Sequence, residues 1–260
     1  MQSELLNTLI FSAIVIWIYM SIWFFIALAT KRNDAVDIAW GLGFVVVSIA
    51  NLIRDHNHSF TAVLVAILVL IWGLRLSWHI GRRNIKKPED FRYKTWRTSW
   101  GKWLIPRSYF QIFILQGFLM LLVVTPVLVI STYALKGINA LVIIGAILWI
   151  FGFLFESTGD RQLRKFIANP DNKGHIMEKG LWRYTRHPNY FGEITQWWSI
   201  GIIALSCRHG WIGLVGPLVI SFLIIKISGV PLLEKAYKDN PDYQEYKRHT
   251  SMLIPLPVKK

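Results

Sequence analysis

The chain has 260 residues, of which 53% are hydrophobic and 17% charged, a balance that excludes an ordinary soluble domain. Lys and Arg outnumber Asp and Glu by 29 to 15, a net charge of +14 that has to be weighed first against membrane topology. The single cysteine, Cys207, excludes an intramolecular disulfide framework and any multi-cysteine zinc or iron–sulfur site. A helical crossing needs roughly 20 apolar residues, and such runs fall at 5–29, 35–53, 60–80, 109–133, 138–157, 191–205 and 211–228. The first lacks a basic leading region and is far longer than a signal peptide's apolar stretch, so it reads as a retained span. The sixth is the shortest and starts among polar residues, and the second starts beside Asp37.

The bases are one-sided. The stretches after the first span, at 81–108, at 158–190 and from 226 onward hold two, nine, seven and seven Lys+Arg, whereas the 54–59, 134–137 and 206–210 loops hold one each. Arg75 sits inside the third run. The positive-inside rule then places the N-terminus outside and the C-terminus in the cytoplasm. The expected fold is an all-α integral membrane bundle of seven transmembrane helices with long cytoplasmic loops, one domain over 1–260 without internal repeats. Juxtamembrane position and anionic lipid headgroups account for the basic charge, and no nucleic-acid-binding pattern is present.

The long loops carry the chemistry. Trp96, Trp100 and Trp103 fall at i, i+4 and i+7, which predicts an interfacial amphipathic helix over 92–107 with Lys94, Arg97 and Lys102 off that face. In Asp160–Lys165, Arg161 and Arg164 are three apart on one side of a helix, a spacing that serves either a phosphate clamp or a positive-inside anchor. The segment GLWRYTRHPNYFGE, Gly180–Glu193, is the most informative. It crowds Tyr184, Arg186, His187, Asn189 and Glu193 into ten residues and puts Asn189 and Glu193 on one helical face at the membrane boundary. An acid there is costly unless it is paired or liganded, so Glu193 is a functional candidate. Asp37, Glu156 and Arg75 also lie at or near membrane depth, as structural pairs or as parts of a polarised pocket. The seven histidines form no metal-binding box, and no nucleophile elbow, P-loop or dinucleotide glycine fingerprint is present, so no metal is expected and any nucleotide needs another kind of site.

With those residues in hand, the chain resembles the steroid 5α-reductase family, and within it a poorly characterised bacterial branch. The shared pattern is G-L-x-x-Y followed by N-[YF]-x-G-E, here Gly180, Leu181, Tyr184, Asn189, Tyr190, Gly192 and Glu193, with Arg161–Lys165 upstream and Tyr243–Pro255 downstream. The resemblance implies a seven-helix oxidoreductase in a bacterial cytoplasmic membrane that uses NADPH to reduce a carbon–carbon double bond conjugated to a carbonyl. It implies a hydrophobic small-molecule substrate of lipid, isoprenoid or steroid-like type. The substrate side falls in 1–133 and the cofactor side in 138–260. Cofactor contacts would come from Arg83, Arg161, Arg164, Tyr184, Arg186, His187, Asn189, Glu193 and Tyr237.

Hydride addition pushes charge onto the carbonyl oxygen, where a proton donor must stand. Steroid-reducing members place a Glu in the second helix and a Tyr in the third. Here Asp37 takes the acid's place, the third helix (70–80) has no tyrosine, and Trp72 sits near the expected position. The candidate catalytic residues are therefore Asp37, Arg75 and Tyr93, with His79 also in reach. An RHPxYxG turn opening a late helix equally resembles S-adenosylmethionine-dependent methyltransferases of the isoprenylcysteine or phospholipid type; the Arg161/Arg164 pair favours a dinucleotide. A non-enzymatic lipid-binding scaffold would leave Tyr184, Asn189 and Glu193 without a role. Oligomeric state is not legible.

Overall fold

The computed structural model describes residues 2–54, 58–84, 87–134 and 137–258. The loop bases Lys86 and Lys136, and His56, lie outside the described residues. Among those described the chain is helical throughout, with no strand. Six helical stretches are long and apolar enough to cross a membrane: Glu4–Thr30, Ala35–Arg54, Phe60–Asn84, Gly101–Val123, Ala140–Ala168 and Gly210–Ala236. Their outward faces are apolar, as with Ile10, Trp17 and Phe25 on the first and Ile147, Ile150 and Leu154 on the fifth. Exposure of that kind, continuous along whole helices, belongs to a protein whose solvent is lipid. The expected sixth span at 191–205 is a helix, Pro188–Ala204, but its 17 residues extend only about 25 Å.

Contacts divide the chain into two compact units, 1–139 with 203–216, and 140–202 with 217–260. The first holds α1 (Gln2–Thr30), α2 (Ala35–Arg54), α3 (Phe60–Asn84) and α4 (Phe91–Ser99). A further helical run follows, comprising α5 (Leu104–Arg107), a π-helical stretch (Ser108–Ile114), α6 (Leu115–Val123) and α7 (Thr125–Tyr133). Helices α2 and α3 cross backbone to backbone, since a Cβ on Gly73 would lie 2.5 Å from the Gly41 carbonyl oxygen. Without a hydrophobic drive between helices in lipid, such small-residue contacts and interhelical hydrogen bonds hold the bundle. Ser77 Oγ donates to the Ile38 carbonyl at 2.8 Å, Tyr19 Oη to that of Ala39 at 2.8 Å, and Asn51 Nδ2 to Ser12 Oγ at 2.8 Å. Phe44 and Trp72, both fully buried, meet edge to face at 5.5 Å.

The fourth expected span, 109–133, proves to start earlier and to be interrupted. Helix already runs from Leu104, widens into the π-helical turn, and breaks at Val124 ahead of Pro126, which has no N–H to continue it. The single amphipathic helix expected over 92–107 is likewise broken. Helix α4 stops at Ser99, and Gly101 takes φ +47°, so Trp96 and Trp100 stack in parallel at 5.5 Å while Trp103 lies past the turn.

The second unit is built on α8 (Ala140–Ala168) and α9 (Pro188–Ala204), followed by α10 (Val215–Phe222), whose residues from 217 onward belong to it, then α11 (Val230–Ala236) and α12 (Pro241–His249). Gly192 lets α8 and α9 touch: a Cβ there would sit 2.5 Å from both Glu156 N and the Gly152 carbonyl oxygen. Asn240 caps α12 by accepting from Tyr243 N at 3.0 Å, with Pro241 in the first turn.

Candidate functional site

Two polar clusters stand out, one in each unit. In the first, the corner between α1 and α2 is stapled to the loop that carries α4. Arg32 pairs with Asp34 through both carboxylate oxygens, at 3.0 and 2.7 Å. Glu89 accepts from Asn33 N at 2.7 Å and from Arg97 at 2.9 and 3.0 Å. Asp90 caps α4, its Oδ1 accepting from Arg92 N at 3.0 Å and from Arg92 Nε at 2.9 Å. These fixings bring Tyr93, 3% exposed, onto Asp37 in the first turn of α2, and Tyr93 Oη donates to Asp37 Oδ1 at 2.8 Å. Arg92 Nη2 stands 3.6 Å from Asp37 Oδ2, and its guanidinium lies 5.3 Å from the Tyr93 ring centre. Burial, and then the nearby Asp37 charge, push the Tyr93 phenol well above its usual range. Burial disfavours the charge on Arg92, but the bond to Asp90 and the surrounding acids outweigh it and raise its pKa.

Two of the three catalytic candidates, Asp37 and Tyr93, are thus in direct contact although 56 residues apart. Arg75 is half-buried on α3. Arg83 is exposed in the last turn of α3, donates to Asn84 Oδ1 at 3.2 Å, and its charge reaches Asp90.

The second cluster surrounds the turn that leads into α9. Trp182, buried, donates to the Gly159 carbonyl at 3.1 Å, and Tyr246 Oη donates to the Trp182 carbonyl. Thr185, fully buried, donates to the Leu253 carbonyl at 2.8 Å and accepts from His187 N at 3.2 Å. Arg186 is 6% exposed and its guanidinium is committed inside the protein. Nη1 donates to the carbonyls of Thr250 at 2.6 Å and Lys247 at 3.1 Å, and Nη2 to Glu234 Oε1 at 2.6 Å. Lys247 Nζ closes the group on Glu234 Oε2 at 2.5 Å. His187, 2% exposed, stacks on Tyr190 at 5.5 Å, and burial draws its pKa down to about 4, so it is neutral near pH 7.

Beyond this anchor lie buried polar atoms without a hydrogen-bond partner among the described residues: both ring nitrogens of His187, Asn189 Oδ1, Ser157 Oγ and Gln196 Oε1. Orphaned groups are expensive to bury, and so many around one turn describe a site that expects a polar ligand. Glu156 accepts from Gln196 Nε2 at 2.5 Å, and Glu193 is half-buried one turn after Asn189. Arg161 and Arg164 are exposed on the last turns of α8. Tyr184 is exposed, and so is Tyr237, which stacks on Tyr243 at 5.0 Å.

A pocket of about 910 Å³ also opens in this unit, lined by His175, Lys179, Arg183, Asp242, Tyr246 and His249 among others. Gly180 and Glu245, Tyr246, His249 and Thr250 of the Tyr243–Pro255 segment line it, but none of the candidate catalytic or cofactor residues does. Glu178, at its wall, has its carboxyl pKa raised by burial and by the charge of Asp242. Sequence reasoning also missed Glu234, an acid without a motif, and Gln196, which bonds Glu156 across the α8–α9 contact, and Ser157, a buried hydroxyl on α8; polarity within an apolar helix was their only signal.

Residues 23–250 match a family model described as "Protein of unknown function (DUF1295)". The chain belongs to this family. Two curated relatives of this DUF1295 chain extend the picture. It is 25% identical over 235 residues to "Uncharacterized protein C594.04c" of Schizosaccharomyces pombe, covering 78% of this chain and 66% of that protein. It is 27% identical over 115 residues to "3-oxo-5-alpha-steroid 4-dehydrogenase 1" of Bos taurus, covering 44% of this chain and 41% of the bovine enzyme. The chain therefore spans about two thirds of the first relative's length and less than half of the second's. The second match establishes a distant relationship to a steroid reductase, as the motif around Asn189 and Glu193 implied. No solved structure matches the chain.

Proposed function

We propose that this DUF1295 protein is a membrane oxidoreductase that uses NADPH to reduce a conjugated carbon–carbon double bond in a hydrophobic substrate. The observation that carries the reading is the Tyr93–Asp37 hydrogen bond. It supplies the proton-donor pair that a distant relative of a steroid reductase requires and that α3, lacking a tyrosine, does not.

NADPH, when bound, supplies the hydride. The residues around the α9 turn fit a polar ligand, because Asn189 Oδ1, Ser157 Oγ and His187 Nδ1 are buried without a hydrogen-bond partner among the described residues, whereas His187 Nε2 faces Glu234 Oε1 at 3.9 Å. Asn189 and Glu193 would hold the nicotinamide end, and Arg161 and Arg164, exposed and on one side of α8, the phosphates. Arg186 acts one step removed, fixing the turn through Thr250, Lys247 and Glu234.

The proton comes from the acid–phenol pair. With a proton on Asp37, the hydrogen bond reverses, Asp37 donates to Tyr93 Oη, and the phenolic hydrogen is free for the carbonyl oxygen on which negative charge develops. Transfer leaves Tyr93 neutral and Asp37 ionised, and Arg92 at 3.6 Å stabilises the carboxylate until solvent returns the proton. Tyr93→Phe keeps the shape and removes the donor. Turnover of NADPH with a panel of polyprenoid, fatty acyl and steroid enones should fall about 100- to 10,000-fold in this variant with NADPH affinity unchanged. Equal turnover in Tyr93→Phe would remove the pair from the mechanism.

The same reading takes α9 as a seventh crossing. If α9 did not cross, the seven bases at 158–190 and the seven from 226 onward would face opposite sides of the bilayer, against the positive-inside bias. With it, the long basic loops share the cytoplasmic side.

A further inference from the structure

The segment after α12 is strapped to the turn that leads into α9. Arg186 N donates to the Ser251 carbonyl at 2.9 Å, Leu256 N to the Tyr184 carbonyl at 3.0 Å, and Thr185 Oγ1 to the Leu253 carbonyl at 2.8 Å. The strap nevertheless leaves apolar side chains open: Met252, Ile254, Leu256 and Val258 are 37%, 61%, 49% and 38% exposed, Val258 at the wall of the pocket described above. Four aliphatic side chains in seven residues, open on a segment otherwise pinned to the protein, need a partner.

The chemistry of the strap selects that partner. Pro255 and Pro257 carry no N–H and the Leu256 N–H is already spent on Tyr184, so the outer edge cannot template an added strand from another polypeptide. Bases stand immediately before it, Lys247 and Arg248, with side chains 43% and 76% exposed although Lys247 pairs with Glu234 and Arg248 with Glu245. Exposed Tyr184 lies beside it, a residue type that favours the membrane–water boundary. Arg186, bonded to Ser251, is two residues from the start of α9, at most about 7 Å of chain. If α9 crosses the bilayer, as proposed above, the strap runs at headgroup depth. We propose that residues 250–258 are an interfacial anchor whose aliphatic side chains dip into an anionic bilayer surface while its backbone holds the Tyr184–Arg186 turn. The α9 turn is thereby tied to the membrane plane through the strap as well as through its own helix.

The test uses the full chain with its one cysteine removed, Cys207→Ser, and an environment-sensitive fluorophore on Ile254→Cys. Lys173→Cys serves as an aqueous reference and Ile150→Cys as a lipid reference. Each is reconstituted in phosphatidylcholine vesicles with and without phosphatidylglycerol. The expected result is quenching of the 254 label by shallow lipid-borne spin labels. Quenching by aqueous iodide should be severalfold weaker than at 173, with stronger protection in anionic vesicles that declines as salt is raised. Iodide quenching equal to that at 173 in both vesicles would overturn the proposal. Protection from both iodide and lipid quenchers would overturn it as well, because protein would then be the cover. Failure of the α9 crossing is read separately: an impermeant thiol reagent would then reach Lys173→Cys and Leu205→Cys from the same side.

Discussion

Replacing Glu234 by Gln isolates the anchor that shapes the α9 turn. The wild-type carboxylate accepts from Arg186 at 2.6 Å and from Lys247 at 2.5 Å, with its own side chain 17% exposed and that of Arg186 6% exposed. Gln keeps one acceptor and the volume but removes the charge, leaving a buried guanidinium whose remaining partners are the neutral Thr250 and Lys247 carbonyls. Removing one member of a buried ion pair costs about 3–5 kcal/mol; with Glu234 partly open to solvent the lower end applies, about 3 kcal/mol. That corresponds to on the order of a hundredfold in a local opening equilibrium. Hydrogen exchange of peptides covering 184–187 and 250–258 reads this directly, because the Arg186 and Leu256 amides make the strap bonds. Lys247→Ala is the control: its side chain is 43% exposed and its loss should cost no more than about 1 kcal/mol. If exchange in both segments is unchanged by Glu234→Gln, or changes equally in Lys247→Ala, the buried pair does not hold the turn.

Two further outcomes follow from the second unit. His187 has a folded pKa of about 4, below its ordinary value of 6.5, so its contribution is complete above 6.5 and is lost as pH falls from there toward 4. The loss amounts to about 3 kcal/mol, and thermal unfolding in detergent across that range should show a slope that His187→Gln flattens. Gly192→Ala should cost at least about 1–3 kcal/mol, since its Cβ meets α8 backbone at 2.5 Å; Gly81→Ala, whose nearest neighbour would be Ile38 Cδ1 at 3.9 Å, should be tolerated in the same melting assay.

Apolar run length made most of the helical spans legible, because lipid demands a continuous apolar surface. It could not decide the 17-residue α9, whose polar first turn and short length blur the signal. The break at Gly101 was invisible because the tryptophan spacing satisfied a helix on its own. The motif around Asn189 and Glu193 was readable as a dense local run of polar residues. The partnership of Tyr93 with Asp37 was not, since it depends on Glu89 and Asp90 folding a loop onto a corner some 56 residues away. Arg186 shows the opposite difficulty: its motif suggested a ligand contact, and only the path of the segment after α12 reveals carbonyls and Glu234 taking up Nη1 and Nη2.

Parallel titration of detergent-purified protein with NADPH, NADH and S-adenosylmethionine decides whether the proposed cofactor is the right one. Selective NADPH binding, weakened by Arg164→Ala and by Glu193→Gln, is the expected result. Binding of S-adenosylmethionine with no response to NADPH, by protein shown to be folded, would overturn the reductase reading.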